Sequence, residues 1–420
     1  MSATQTKRGA VAITGLGIVT SLGVGAPDNW SRLCAGQSGV RTISRFSTAG
    51  LKTTIAAIEH EITADTLTTP ERCKVLAASA AEQAVARSGI GSRGRFPGPL
   101  FLAVPPFEIE WPRRIDLAAA SNVAEPAFAD LLRAAAGGAF RDIDARCQHA
   151  SVALHLKSEF GTQGAPVSLN TACASGASAL QLGAEAIRRG ETDAALCVGT
   201  DSTNVEALIR FSLLSALSTR NDPPSQASRP FSKDRDGFVI GEGAAALVLE
   251  SVAAARARGA PILALLTGLG ESVDPFHRTR GNPDGTPVAA SMTRAIADAG
   301  LTPDAIDYVN AHGTSTPEND KAECLALSNI MGAHLPRLAV SSNKSMIGHT
   351  LSAAGAIEAA FTVLTLQHQR LPPTINYREP DPEIVLDVVP NVARDAVVRR
   401  ALSNSFGFGG QNVSLVIETP

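Results

Sequence analysis

The sequence predicts an α/β fold made of two duplicated βαβαβ halves. Three observations lead to this prediction: apolar runs typical of buried strands alternate with helical segments rich in small residues, aromatic residues make up only 4% of the chain, and two motifs each occur twice in the same order. Alternation of this kind is typical of βαβ units, and it predicts a mainly parallel sheet buried on both faces. The 420 residues suffice for two subdomains or one large double core.

The predicted elements fall into two sets. The first set has strand-like runs and one clear helix at 10–15, 100–104, 166–170, 174–189 (helix) and 194–199. The second set has strand-like runs and two helices at 262–270, 286–299 (helix), 306–313, 338–345 and 352–369 (helix).

The two sets repeat one another in sequence. FVIGEGAAALVLE (238–250) aligns without gaps on FGFGGQNVSLVIE (406–418). VSLN (167–170) and VSSN (340–343) each precede a helix rich in Ala, Ser and Gly. Two such matches in one order indicate an internal duplication.

The boundary between the halves is predicted where the helical segment AAARARGAP ends in Gly-Ala-Pro. This gives an N-terminal half at 1–259 that carries a candidate nucleophile and a C-terminal half at 260–420 that carries candidate histidines. A duplicated pair of units brings equivalent strand-to-helix turns towards a common axis, so groups on those turns are expected to converge.

Composition excludes several classes of protein. The formal net charge is −3, from 37 basic and 40 acidic residues without a long run of either sign, so nucleic-acid binding is not expected. The polar first nine residues do not predict a signal peptide, and no run is long and apolar enough for membrane insertion. Six scattered cysteines favour reduced thiols and a cytoplasmic protein.

Cys173 is the candidate nucleophile. It lies in SLNTACASGASAL, where a strand ends and a helix of small residues begins. The unpaired N–H groups and positive dipole of a helix N-terminus are expected to lower the pKa of the thiol. The small neighbours leave room for a close substrate, and backbone N–H groups of the turn are candidates for an oxyanion hole.

Two histidines and a lysine fall at comparable turns. His312 ends a strand in YVNAHGTSTPENDKAE, and His349 follows Lys344 by five residues in SSNKSMIGHTLSAAG. Two neutral histidines could stabilise the enolate that forms when a carboxylate leaves as carbon dioxide, without a metal or redox cofactor. Lys344 is expected to set the protonation of His312, with Glu323 balancing its charge.

Other residues complete the predicted site. Thr314 and Thr316 offer hydroxyl groups to an amide-bearing ligand. In the glycine-rich loop SNSFGFGGQN (403–412), the N–H of Phe408 is a candidate second oxyanion donor, and the ring of Phe406 or Phe408 could gate an acyl channel. No phosphate-binding loop is predicted here, because the required helix setting is missing.

Together, TACASG, NAHGTSTPENDKAE, SNKSMIGHTLSAAG, RPFSKDRDGFVIGEGA and SNSFGFGGQN resemble the β-ketoacyl-acyl-carrier-protein synthases of the FabF type. The resemblance runs from VAITGLGIVTSLG to the C-terminus. It implies a thiolase-like five-layer αβαβα fold, a homodimer and an acyltransferase that needs no cofactor. Its partner would be an acyl carrier protein whose phosphopantetheine arm carries acyl and malonyl groups.

The resemblance also implies roles for individual residues. The chain would elongate an acyl group held on Cys173 by two carbons, through decarboxylative Claisen condensation with malonyl carrier protein. His312 and His349 would be the catalytic pair and Lys344 with Glu323 the supporting ion pair. The remaining implied roles are pantetheine contacts for Thr314 and Thr316, gate and oxyanion donor for Phe408, and carrier docking for Arg72 and Lys74.

Residues 98–146 depart from the common sequence of the family. In members of that family, this region lines the acyl pocket and the dimer interface. This departure predicts an atypical acyl chain. The segments DPFHRTR and ALSTRNDPPSQASRPFSKDRDG are similar in sequence to those of alphaproteobacterial synthases linked to very-long-chain acyl groups of lipid A.

Two alternative functions stay open. A polyketide-type ketosynthase shares the same Cys-His-His set and the lysine. A non-catalytic chain-length-determining partner subunit is a second alternative, although such partners lack the nucleophile that is present here as Cys173.

Overall fold

The computed structural model describes residues 9–420 as a mixed α/β fold with fifteen strands and thirteen α-helices in that range. The strands in chain order are β1 Val11–Thr20, β2 Gly23–Val24, β3 Val40–Thr42, β4 Ile55–Ala57, β5 Leu100–Ala103, β6 Val167–Leu169, β7 Ala194–Asp201, β8 Gly243–Ser251, β9 Ala264–Val273, β10 Tyr308–Asn310, β11 Ala339–Ser341, β12 Arg370–Leu371, β13 Arg394–Asp395, β14 Arg400–Phe406 and β15 Gln411–Glu418. The helices are α1 Ala26–Cys34, α2 Thr69–Ser88, α3 Trp111–Ala120, α4 Phe128–Ala136, α5 Arg141–Cys147, α6 Ala150–Phe160, α7 Ser175–Arg188, α8 Val205–Leu213, α9 Val252–Ala257, α10 Thr286–Asp298, α11 Pro317–Met331, α12 Lys344–Ile347 and α13 Ala354–His368.

Ten of the eleven strands of the main sheet form two five-stranded halves with the same topology, and the eleventh, β2, pairs with β1. The order is β6-β5-β7-β8-β1 in the first half and β11-β10-β14-β15-β9 in the second, and β1 pairs with β9 to join them. The repeated sequences occupy equivalent places: β8 and β15 are the fourth strands of the two orders, and β6 and β11 are the outermost. The predicted duplication is therefore confirmed.

The prediction of a mainly parallel sheet is wrong. The three outer strands of each half are parallel, whereas β7-β8-β1 and β14-β15-β9 pair antiparallel, as do β1 and β9. Every residue of β1 is buried, and β8 is buried up to its last residue. Helices cover both faces, so these antiparallel strands carry the continuous apolar runs that normally indicate parallel ones.

The layers follow from helix packing. Helix α2 packs on β1 and β8 with α6 beside it, whereas α10 packs on β9 and β15 with α11 beside it. Helices α7 and α13 pack against each other between the two halves of the sheet, with α7 against β5 and β7 and α13 against β8 and β14. Separate apolar clusters fill the spaces between these layers. This is the predicted thiolase-like αβαβα architecture.

The two central helices approach each other closely at a pair of glycines. A Cβ atom on Gly176 would lie 2.4 Å from the backbone nitrogen of Ala356, and one on Gly355 would lie 2.5 Å from that of Ala177. Only glycine allows this backbone separation. Because Gly176 and Gly355 lie near the starts of α7 and α13, the turns that precede the two helices are brought together.

In residues 9–420, no helix combines the length and apolar character that crossing a bilayer requires.

Candidate functional site

The turn before α7 presents Cys173. Ala172 adopts φ 50°, a left-handed conformation that is rare for a residue with a side chain, and it directs the chain from β6 into the helix. The Cys173 side chain is buried, and the backbone N–H of Phe408 donates to it. The glycine-rich loop therefore lies against the nucleophile turn, as expected from the sequence.

The turn before α13 presents His349. Its backbone N–H donates to Val239 O at 2.7 Å, and its carbonyl accepts from Gly241 N at 2.9 Å. Residues 238–243 and their repeat 406–411 thus support opposite turns: the first holds His349, and the second lies beside Cys173. The backbone N–H of Leu351 donates to Nδ1 of His349 at 3.3 Å, which places the proton of the neutral ring on Nε2.

The turn after β10 presents His312. Glu323 on α11 accepts hydrogen bonds from the backbone N–H groups of His312 (2.9 Å) and Gly313 (2.8 Å), and from the side-chain amide of Asn404 (3.0 Å). The His312 and His349 rings meet edge to face, with centroids 5.3 Å apart. Glu323 therefore fixes the backbone that carries one of the paired imidazoles.

The predicted Lys344–Glu323 ion pair is not formed. Lys344 pairs instead with Glu358 on α13, and both side chains are fully enclosed. The Lys344 ammonium also lies 3.5 Å from Nδ1 of His312. The Glu323 carboxylate instead accepts from three N–H donors on the β10 turn and β14.

Glu358 was missed in the sequence, although a signal was present. It is the one charged residue in the apolar helical segment SAAGAIEAAFTVL, and a carboxylate buried among apolar residues requires a partner. Burial raises the pKa of Glu358 to about 7, and the Lys344 ammonium opposes that rise.

The electrostatics keep both imidazoles neutral. Burial and then the charge of Lys344 hold the pKa values of His312 and His349 well below the ordinary histidine value. For Cys173 the structure corrects the expected direction: burial raises the pKa of the thiol to about 11, opposed by Lys344 and by the N–H of Phe408. Desolvation of a thiolate inside this enclosed site outweighs the groups that favour it.

One cavity of about 310 Å³ brings the predicted groups together. Its lining includes, from the predicted set, Cys173, His312, Thr314, Thr316, Glu323, His349, Phe406 and Phe408. The hydroxyl groups of Thr314 and Thr316 lie 2.8 Å apart, and the Phe406 ring packs on His312 with centroids 5.4 Å apart.

Arg72 does not reach the surface. Its side chain is 4% exposed and donates to Ser202 Oγ at 2.7 Å, Thr203 O at 3.0 Å and Leu67 O. The sequence-based assignment of Arg72 to carrier docking is therefore wrong, because a guanidinium held inside the fold cannot meet a surface partner. Lys74, two residues along α2, is partly exposed.

Comparison with known proteins gives a consistent result over nearly the whole chain. Residues 8–90 and 130–255 match the family model described as the N-terminal domain of β-ketoacyl synthase, and residues 263–378 match its C-terminal domain. Residues 91–129, which include the unusual α3 segment, lie between the matched stretches.

Individual relatives extend this match to full length. The chain is 38% identical to 3-oxoacyl-[acyl-carrier-protein] synthase 2 of Coxiella burnetii, over 97% of this chain and 98% of the relative. It is 36% identical to the ketoacyl synthase alpha subunit of the tetracenomycin polyketide synthase of Streptomyces glaucescens, over 98% and 97% of the two chains. A type II polyketide ketosynthase solved with its acyl-carrier protein has a TM-score of 0.87 and 31% identity, with 99% of this chain and 100% of that chain covered. The chain therefore belongs to the β-ketoacyl synthase family.

Proposed function

We propose that Cys173, His312, His349 and Lys344 carry out decarboxylative condensation between an acyl group and a malonyl group, both delivered by an acyl carrier protein. The observation that supports these roles best is the shared cavity, in which a buried thiol faces two neutral imidazoles whose Nε2–H groups are free to donate. This arrangement combines a nucleophile with two donors for a developing oxyanion.

In the first half-reaction, Sγ of Cys173 attacks the thioester carbonyl of the acyl carrier. The bond from that carbonyl to the pantetheine sulfur breaks, and the departing sulfur takes up the proton that Cys173 loses. The N–H of Phe408, which donates towards Sγ in the free protein, supports the oxyanion of the tetrahedral intermediate.

In the second half-reaction, the malonyl thioester oxygen accepts hydrogen bonds from Nε2–H of His312 and His349. The bond to the carboxylate breaks, carbon dioxide leaves, and the electron pair forms an enolate on that oxygen. The enolate carbon attacks the acyl-Cys173 carbonyl, the thiolate of Cys173 leaves, and one proton from solvent restores the thiol. The product is a β-ketoacyl carrier that is longer by two carbons.

The neutral state of both imidazoles is central to this scheme. A cationic imidazolium would hold the malonyl carboxylate in its ground state, whereas a neutral N–H group stabilises charge mainly as it develops on the thioester oxygen. Lys344 supports the scheme by placing a donor at Nδ1 of His312, so that Nε2–H points into the cavity. Thr314 and Thr316 supply hydroxyls for the amides of the pantetheine arm.

The test is carbon dioxide release and product analysis with purified protein, malonyl carrier and acyl carriers of different length. Cys173→Ala should abolish the extended product, whereas the matched variant Cys34→Ala should retain it. If the wild-type protein on its own releases no carbon dioxide, the result would favour the non-catalytic partner subunit. Repeated extension of one acyl chain would favour the polyketide alternative, which the Streptomyces relative makes the second candidate.

We also propose a homodimer. Strand β6 forms one edge of the main sheet, and its Val167 is 40% exposed. Helices α3 and α4 contain no buried residue and present Trp111 and Phe128 to solvent. An open sheet edge and large exposed apolar side chains are both features that another chain can cover. Sedimentation analysis should give twice the chain mass of 43.4 kDa, and a monomer would contradict this proposal.

A cytoplasmic location is part of the same proposal. It is supported by the six cysteines, all of which are free thiols in the structure.

A further inference from the structure

Residues 274–282 form a largely exposed loop in the cavity lining, which we call the mouth loop. The backbone N–H of Asp274 donates to Gly410 O at 2.8 Å, which ties the loop to the glycine-rich segment beside Cys173. The Asp274 carboxylate accepts from the backbone N–H groups of Phe276 (2.9 Å) and Asn282 (2.7 Å). One buried carboxylate therefore holds both ends of the mouth loop in place.

Two arginines project from the mouth loop. Arg278 and Arg280 are exposed, and both line the cavity whose lining also includes Cys173. Neither guanidinium forms an ion pair or a hydrogen bond with any part of residues 9–420. The backbone carbonyl of Arg278 accepts from Gly409 N at 2.8 Å, which places this residue next to Phe408.

The carboxylates that line the cavity do not neutralise these arginines by contact. Asp274 is turned into its own loop, and Asp236 accepts from Ser218 Oγ at 2.7 Å and from the Thr219 N–H at 3.0 Å. Glu318, at the start of α11, is exposed, and it forms no ion pair with either guanidinium. The mouth loop thus presents two guanidinium groups that have no ion-pair partner within residues 9–420 and that lie in the exposed part of the cavity lining.

We propose that Arg278 and Arg280 form an anion subsite that binds the phosphodiester of the carrier's phosphopantetheine arm. This inference rests on the proposed function, because that function brings the arm into the cavity. The thioester must reach Cys173 at the inner end, so the phosphate at the other end of the arm stays near the mouth. Guanidinium groups match phosphate oxygens in geometry and charge better than an ammonium does.

Acidic side chains of the carrier protein are the other source of anionic oxygens. The experiment must therefore separate the arm from the protein that bears it. Free 4′-phosphopantetheine and pantetheine differ only in the phosphate, and neither carries a protein surface. Protection of Cys173 against iodoacetamide by each compound measures binding without any need for turnover.

For the wild type, phosphopantetheine should protect Cys173 at a concentration about tenfold lower than pantetheine, a preference that should shrink in high salt. The double variant Arg278→Gln/Arg280→Gln should lose this preference while pantetheine protection stays the same. Arg256→Gln removes an exposed arginine of α9 by the same substitution and should behave as the wild type.

Equal protection of the wild type by both compounds, including no protection by either, would overturn the subsite. A double variant that still prefers phosphopantetheine over pantetheine would also overturn it. The same holds for a double variant that weakens only the binding of the whole carrier, since the arginines would then contact the carrier protein instead of the arm. Carbon dioxide release from malonyl carrier is measured separately. Its absence would count against the condensing activity alone, because protection by phosphopantetheine does not depend on catalysis.

Discussion

The ammonium group of Lys344 lies 3.5 Å from Nδ1 of His312 and pairs on its other side with Glu358. An ammonium offers donors only, so Nδ1 is the acceptor and the neutral ring carries its proton on Nε2. Both Lys344 and Glu358 are 1% exposed, which means that the tautomer of a cavity-lining imidazole depends on a fully buried ion pair.

Replacing Lys344 by Met should impair both stability and decarboxylation. The Glu358 carboxylate would stay buried without its partner, which should cost about 3–5 kcal/mol of unfolding free energy. His312 would lose the contact that fixes its tautomer, so carbon dioxide release should fall by about 100-fold or more, on the scale of losing one oxyanion donor. Urea unfolding and carbon dioxide release from malonyl carrier measure the two effects.

The double variant Lys344→Met/Glu358→Gln separates them. Without a buried charge, most of the lost stability should return, whereas decarboxylation should stay low because Nδ1 of His312 still lacks its donor. Recovery of both quantities would show that Lys344 serves the fold alone.

The thiol of Cys173 should be protonated in the resting enzyme. Burial raises its pKa to about 11, so the rate of alkylation by iodoacetamide should climb by roughly tenfold per pH unit between about pH 7 and pH 10. The Lys344 ammonium lowers this pKa, so Lys344→Met should make alkylation slower at every pH in that range. Lys321→Met, which removes an exposed lysine, should leave the profile unchanged. A plateau below about pH 8 would instead reveal a stable thiolate and contradict the prediction.

Local motifs and long-range contacts differ in how far the sequence predicts them. Cys173, His312 and His349 could be placed because each follows a short apolar strand, and the strand-to-helix turn is encoded within a few residues. The partner of Lys344 could not be predicted in the same way. Glu358 is 14 residues further on, on a helix whose rotation depends on the glycine contact between α7 and α13.

Burial is the other quantity that the sequence left open. Arg72 lies on an Ala-rich helix with a weak apolar stripe, so the sequence does not show whether its side chain faces solvent or the interior. The pKa of Cys173 depends on the same quantity, because the helix start is visible in the sequence whereas the enclosure of the thiol is not. The sequence does not reveal strand direction for a related reason: two covered faces give the same apolar pattern in parallel and antiparallel sheets.

Glu323 should act as a positioning residue for His312. Glu323→Gln replaces one acceptor oxygen by an NH₂ group that faces a backbone N–H, so the variant should lose about 1–3 kcal/mol of unfolding free energy. The displaced β10 turn should lower kcat for carbon dioxide release by about tenfold or more, with a smaller change in KM. Glu82→Gln on α2 is the matched control, because that carboxylate is exposed and does not line the cavity; an equal loss in both variants would argue against the positioning role.

The last prediction separates Arg72 from Lys74 on α2. Arg72→Ala leaves Ser202 Oγ and two backbone carbonyls without their donor, so the unfolding free energy should fall by about 2–4 kcal/mol. Because the guanidinium is enclosed, the KM for the carrier substrate should stay close to the wild-type value in the fraction that remains folded.

Lys74→Ala should show the reverse pattern, because its ammonium is partly exposed. Stability should change by no more than about 0.5 kcal/mol, as is usual for surface positions. If Lys74 meets the acidic carrier, KM should rise severalfold at low salt, and the difference should vanish as salt screens the attraction. A KM effect that is independent of salt, or one produced by Arg72→Ala instead, would place the carrier contact elsewhere on the surface.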